Sequence, residues 1–214
     1  MAASAALEVR VVGAGGHGST PHLAADPLPA ACAMVTALQI AVTRAFDVFD
    51  PVVLSVGAFH AGTQRNIIPA DAEFQATIRT FSAATAEKVR RVVTQVCTGI
   101  AAAHGVRAEI DYRDVYPATV TDPAAHAFVT GTVRELFGPD RWTDLADPFP
   151  ASEDFSRVLQ RVPGAYFFVG ACTTGDPAGA PAIHSPSATF DDRLLDDCAE
   201  LLAALALRAR TVAS

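Results

Sequence analysis

From Leu7 to Tyr112 the chain switches between two hydrophobic periods in a fixed order, and few folds accept that order. Leu7-Glu8-Val9-Arg10-Val11 alternates apolar and polar, the period-two pattern of a half-buried strand. A glycine-rich turn follows, Gly13 to His22, read at this level as a turn whose glycines supply positive φ. Asp26 then stands at an N-cap position with Pro27 at the first helical one. Ala31, Val35, Leu38, Val42 and Ala45 keep one helical face apolar. Pro51–Ala58 is a β-rich run, His60–Pro69 reads as a loop, and a second alternating strand puts Ala72, Phe74, Ala76 and Ile78 on one side. Val89, Val92, Val93, Val96 and Ile100 define a second amphipathic helix, stopped by Gly105, and Ala108, Ile110 and Tyr112 alternate in a last strand. The order β-α-β-β-α-β predicts a ferredoxin-like split-βαβ domain, an antiparallel sheet with both helices on one face.

The second half reads differently. Pro123–Phe137 and Ser152–Gln160 are predicted helical, and Asp191–Arg210 is predicted to be a long helix with an Asp cap. Between them, Ala165–Ala171 is a continuous apolar run, the signature of a strand buried on both faces of a parallel sheet. Only Trp142–Leu145 offers a candidate neighbour. A doubly buried strand without partners leaves its backbone groups unpaired, so this half is expected to be part of a larger α/β domain.

Composition removes several functions. Half of the 214 residues are hydrophobic and the net charge is −7, with Lys88 the only lysine. Without a basic cluster, neither nucleic acid nor an anionic membrane surface is an expected partner. Apolar runs such as Ala165–Cys172 are too short to cross a bilayer, and Met1–Ala6 lacks the features of a signal peptide. Four widely spaced cysteines without a C-x-x-C are read as reduced thiols in a cytoplasmic protein.

Singly, the chemistry-bearing residues are weak signals. His17 and His22 are five apart in a glycine-rich turn, poor spacing for two ligands on one rigid element. The turn lacks G-x-G-x-x-G, so a dinucleotide site is disfavoured. Glu153 and Asp154 suit a helix start, the Asp191–Asp197 acids suit a cap and a solvated face, and neither Ser19 nor Ser185 sits in a G-x-S-x-G elbow.

Their order is more specific. Gly15-Gly16-His17-Gly18-Ser19-Thr20-Pro21-His22, then Asp26-Pro27, Asn66-Ile67-Ile68-Pro69, Thr77-Ile78-Arg79-Thr80-Phe81, Ser152-Glu153-Asp154-Phe155 and His184-Ser185-Pro186 follow one another along the chain. This series resembles the aminoacylase, hippurate hydrolase and auxin-conjugate hydrolase branch of peptidase family M20. The resemblance implies that residues 6–116 are a ferredoxin-like lid and dimerisation domain, and that residues 117–214 are the carboxy-terminal part of an α/β metallohydrolase catalytic domain.

It further implies hydrolysis of the amide bond of N-acyl amino acids by two divalent metal ions (Zn, Mn or Co). Most ligands and the glutamate general base are expected in a segment before the lid, so that this chain alone holds the metals incompletely and is inactive. By the same resemblance His184 is a metal ligand, and His17 reaches across a homodimer to stabilise the oxyanion. Asn66 and Arg79 bind the substrate carboxylate, and Glu153 supports the metal site. Strand alternation separately puts Arg79 on the polar face of the sheet. Gly62-Thr63-Gln64-Arg65 departs from the family pattern in having one glycine where a pair is common. Two other readings are a non-enzymatic dimerisation or carboxylate-binding module on the lid fold, and a ferredoxin-like regulatory domain for amino acids, which has fold analogy alone behind it.

Overall fold

The computed structural model describes residues 1–174 and 176–212. They fall into two compact units: Met1–Thr119 with Ala146–Gln160, and Val120–Leu145 with the residues from Arg161 onward. The segment 146–160 thus belongs to the first unit, although it lies beyond residue 116 in the chain.

In the first unit, β1 (Ala3–Val12) leads through β2 (Gly16–His17) to α1 (Pro27–Ala45), then β3 (Val53–Ala61), β4 (Ile67–Ile68), β5 (Asp71–Thr80), α2 (Ala83–Ala103) and β6 (Arg107–Tyr116). The main sheet has the order β3-β5-β1-β6, every neighbouring pair antiparallel. β1 and β3 therefore run parallel with β5 inserted between them, which is the split βαβ that the hydrophobic periods predict.

The register explains the core. Leu7, Val9 and Val11 lie opposite Ala76, Phe74 and Ala72, all turned to one face. Met34 and Leu38 from α1, with Val89, Val93 and Cys97 from α2, close over that face. Each helix begins where its cap residue stands. Asp26 accepts a hydrogen bond from Leu28 N–H at 3.0 Å, and Ser82 from Thr85 N–H at 3.1 Å. Gly105, with φ +66°, ends α2; Val106 N–H reaches Ala101 O and Gly105 N–H reaches Ala102 O, a Schellman closure. The other sheet face is ionic: Arg10 pairs with Asp71 and Glu109, and Arg113 with Glu8 and Asp111. Exposed pairs of this kind add little stability.

Two expectations change here. By length and hydropathy α1 matches a membrane span, contrary to the reading that every apolar stretch is too short. Yet Pro27, Ala30, Ala31, Met34 and Leu38 are buried under the sheet, which is what the crossover helix of this fold requires. The glycines of residues 13–18 do not supply positive φ, which occurs only at Gly62, Gly105 and Gly138 among the described residues. They allow close backbone approach instead: a Cβ on Gly13 would stand 2.1 Å from Ala25 O, and one on Gly15 would stand 2.7 Å from Ile68 O.

The second unit contains α3 (Pro123–Phe137) and α5 (Leu195–Val212), packed through Val129, Val133 and Leu201 with Phe128, Trp142, Phe167 and Leu205 around them. Glu135 and Arg208 tie the two helices with a two-pronged ion pair at 2.7 and 2.8 Å. Ala165–Ala171 is not a strand, nor is Trp142–Leu145. Phe168 and Val169 are about half exposed, at 50% and 47%. Among the described residues no neighbouring strand pairs with the run, so it has no ladder to join and stays irregular. The helix expected over 152–160 shrinks to one turn in the first unit, α4 (Ser156–Leu159). The long C-terminal helix starts four residues late, after a 3-10 turn at Asp192–Leu194 capped by Asp191.

Candidate active-site arm

The sequence 13–19 is held against 66–70 and forms an arm. Val12 pairs with Asp71 at the end of the β1–β5 ladder, Gly13 N–H donates to Ala70 O at 2.9 Å, and Gly16 and His17 pair with Ile68 and Ile67. The two central strands thus continue past the sheet as a narrow ribbon. Gly18 N–H donates to Asn66 O at 2.9 Å, so His17 and Asn66 come together at its tip. Both side chains are exposed. The base of the arm is fixed by the reciprocal backbone pair Ala14–Ala25, at 2.8 and 2.9 Å. An open cleft beside it is lined by Gly18, Pro21, Asp26, Gly62, Arg65 and Ile67.

At the tip, Thr20 N–H donates to His17 O at 2.9 Å, closing a tight turn. Inside that turn Ser19 N lies 3.1 Å, and Ser19 Oγ 2.7 Å, from His17 Nδ1. His22 sits in the following 3-10 turn, exposed.

Arg79 lies at the other end of the same sheet. It pairs with Ser4, while Val12, where the arm starts, is eight residues away along β1; at the usual rise per residue that is roughly 26 Å. One small substrate therefore cannot touch Arg79 and the Asn66 of the same chain. Alternation puts Arg79 on the polar face, where it is half-buried and donates to Ser152 Oγ at 3.3 Å. Ser152 is held there because Ala2 N–H, at the head of β1, donates to Phe149 O and Ala151 O. Arg79 has no acidic partner among the described residues. A half-buried guanidinium with one hydroxyl contact keeps its fork open for a carboxylate.

Glu153 is half-buried beside Ser152 in the chain; its carboxylate accepts from Asp154 N–H at 2.9 Å, and its carbonyl accepts from the buried Ser156 Oγ at 2.6 Å. His184, in the second unit, lies in an exposed turn closed by Ser185 N–H on Ala182 O. Among the described residues no group of three or more His, Cys, Asp and Glu side chains could hold a metal ion. The described residues do not by themselves make a dinuclear centre.

His17 and Asn66 thus stand at the exposed tip of a ribbon built on the middle of the sheet. The peptidase dimerisation domain matches residues 2–104, which hold the whole arm and both central strands. The chain belongs to peptidase family M20. The M20 chain is 34% identical over 208 residues to the hippurate hydrolase of Campylobacter jejuni, covering 97% of itself and 53% of that protein. It is 31% identical over 213 residues to an IAA-amino acid hydrolase (ILR1-like 4) of Arabidopsis thaliana, covering 97% and 48%. A solved M20 structure, a dinuclear metal-binding peptidase of Bacillus subtilis, superposes with a TM-score of 0.76 at 26% identity, over 98% of this chain and 50% of that one. The chain spans about half the length of the relatives it matches. Its relatives are hydrolases.

Proposed function

We propose that this chain supplies the lid, the dimer contact and part of the active site of a metal-dependent amidohydrolase that cleaves N-acyl amino acids. The observation that carries the reading is the arm: its exposed His17 and Asn66 project from the end of the sheet. In this reading two copies associate through the lid. His17 and Asn66 of one serve the site of the other, where the imidazole donates to the oxyanion of the tetrahedral intermediate. Asn66 offers amide hydrogen bonds at that site, and Arg79, roughly 26 Å from its own chain's arm, holds the substrate carboxylate with the partner's arm opposite.

In the same reading His184 is a metal ligand and Glu153 supports the metals. These residues amount to less than a full metal centre, so the chain alone is expected to be inactive. Metal ions would polarise the amide carbonyl and activate water in the complete site.

The test joins three measurements on the purified chain. Light scattering should give a dimer, and His17→Ala should remain one. N-benzoylglycine should not be hydrolysed in the presence of Zn²⁺, Mn²⁺ or Co²⁺. Hydrolysis would refute insufficiency, and a monomer would refute the shared site. Calorimetric binding of N-benzoylglycine that needs Arg79, is indifferent to metal and is never followed by turnover would favour the carboxylate-binding module instead.

A further inference from the structure

The turn that holds His17 decides which nitrogen of its ring carries the proton. We propose that Ser19 is a positioning residue that holds the His17 imidazole as its Nε2–H tautomer, leaving Nε2–H as a donor at the tip of the arm. The inference rests on the reading of His17 as the oxyanion donor and deepens it.

A backbone N–H only donates. With Ser19 N at 3.1 Å, His17 Nδ1 must present its lone pair. The Ser19 hydroxyl, 2.7 Å from the same nitrogen, turns its proton toward that lone pair as a second donor. A neutral imidazole with a lone pair on Nδ1 carries its hydrogen on Nε2, at the opposite edge of the ring.

The scaffold leaves little freedom to escape this. Thr20 N–H on His17 O fixes the turn at 2.9 Å, and Gly18 N–H on Asn66 O ties its middle to the facing strand. A Cβ on Gly18 would stand 3.2 Å from that same Asn66 oxygen, so the approach suits glycine.

The chemical consequence is a choice of role. A general base at Nε2 needs a bare Nε2, hence a proton on Nδ1, where it would face the Ser19 N–H head-on. The turn therefore favours a donor over a base, and with Nδ1 occupied only Nε2 is open to a reacting oxygen. Preset donors of this kind stabilise developing charge without reorganising as it forms.

Long-range proton–nitrogen NMR of the chain labelled with ¹⁵N-histidine, at a pH above the ordinary histidine range, reads the tautomer directly. His17→Ala identifies the signals. Wild type should show the Nε2–H pattern alone, with the Nδ1 resonance displaced as expected for an accepting nitrogen. Ser19→Ala should move that resonance toward the unbonded position and bring in a fraction of the Nδ1–H form, and Ser19→Thr should restore the wild-type pattern. A wild-type Nδ1–H form, or identical spectra for wild type and Ser19→Ala, would overturn the proposal. No substrate or metal enters the experiment, so its result stands apart from the dimer and hydrolysis measurements that decide the hydrolase reading.

Discussion

Replacing Gly13 by alanine should unseat the arm from its base, and the size of the effect follows from the geometry. The new Cβ would lie 2.1 Å from Ala25 O and 3.0 Å from Pro27 Cδ, the first far inside the 3.4 Å at which ordinary contacts begin. The neighbour is backbone, so no side chain can swing away. Relief requires parting Ala14 from Ala25, which gives up two hydrogen bonds of 2.8 and 2.9 Å; at the usual net value of each, that costs about 1–3 kcal/mol. Pushing on Pro27 also disturbs the Asp26 cap of α1, worth roughly another 1 kcal/mol. We expect a loss of about 2–4 kcal/mol, a large share of a domain's typical margin. Urea unfolding followed by circular dichroism measures it, and hydrogen exchange at the Ala14 and Ala25 amides locates it. Gly57, where a Cβ meets nothing within 4 Å, is the control; its alanine variant should be neutral or slightly stabilised, by up to about 1 kcal/mol. A Gly13→Ala protein within about 0.5 kcal/mol of wild type, the scatter expected of harmless substitutions, with both amides still protected, would refute the close-approach argument.

Phe74→Ala empties the centre of the first unit, where the ring is fully buried; a loss of about 3–5 kcal/mol is expected, read as a lower urea midpoint with unchanged slope. Burial pushes the Cys97 thiol up to about 12, and burial followed by the Asp114 charge does the same to Tyr112. Both groups stay protonated in the folded state when the unfolded chain has lost those protons, so stability should be full below about pH 9 and should fall as pH rises toward 12. Urea midpoints across that range check the sign. In the native protein at pH 8, a thiol reagent should label exposed Cys32 and spare Cys97.

The lid was legible because each of its strands has one face on a core and one in solvent. Val9, Phe74 and Ile78 alternate with charged or polar neighbours, and Asp26 and Gly105 mark the start of one helix and the end of the other. Ala165–Ala171 carries an equally strong apolar signal, but a fully buried strand is defined by its neighbours, and none pairs with it among the described residues. The arm escaped a periodicity reading because its paired strands are two residues long. The signals that could have found it are Ile67-Ile68 between turn residues and a glycine spacing suited to backbone contact. The distance between Asn66 and Arg79 was hidden for a simpler reason: thirteen residues apart in sequence says nothing until β5 is known to run its full length between them.

The arm extends the two innermost strands of the sheet, and its mechanical properties follow from that origin. Its direction is set where it leaves the sheet, by the Gly13–Ala70 hydrogen bond and the Ala14–Ala25 pair. From Val12 to His17 the ribbon is a lever of roughly 16 Å at the usual rise. Tilting it by about 10° would carry the imidazole about 3 Å, the span between a hydrogen bond and none. Substitutions that retune the packing of Val11 or Ala72 against the helices would thus steer the tip from a distance while leaving every residue on it intact.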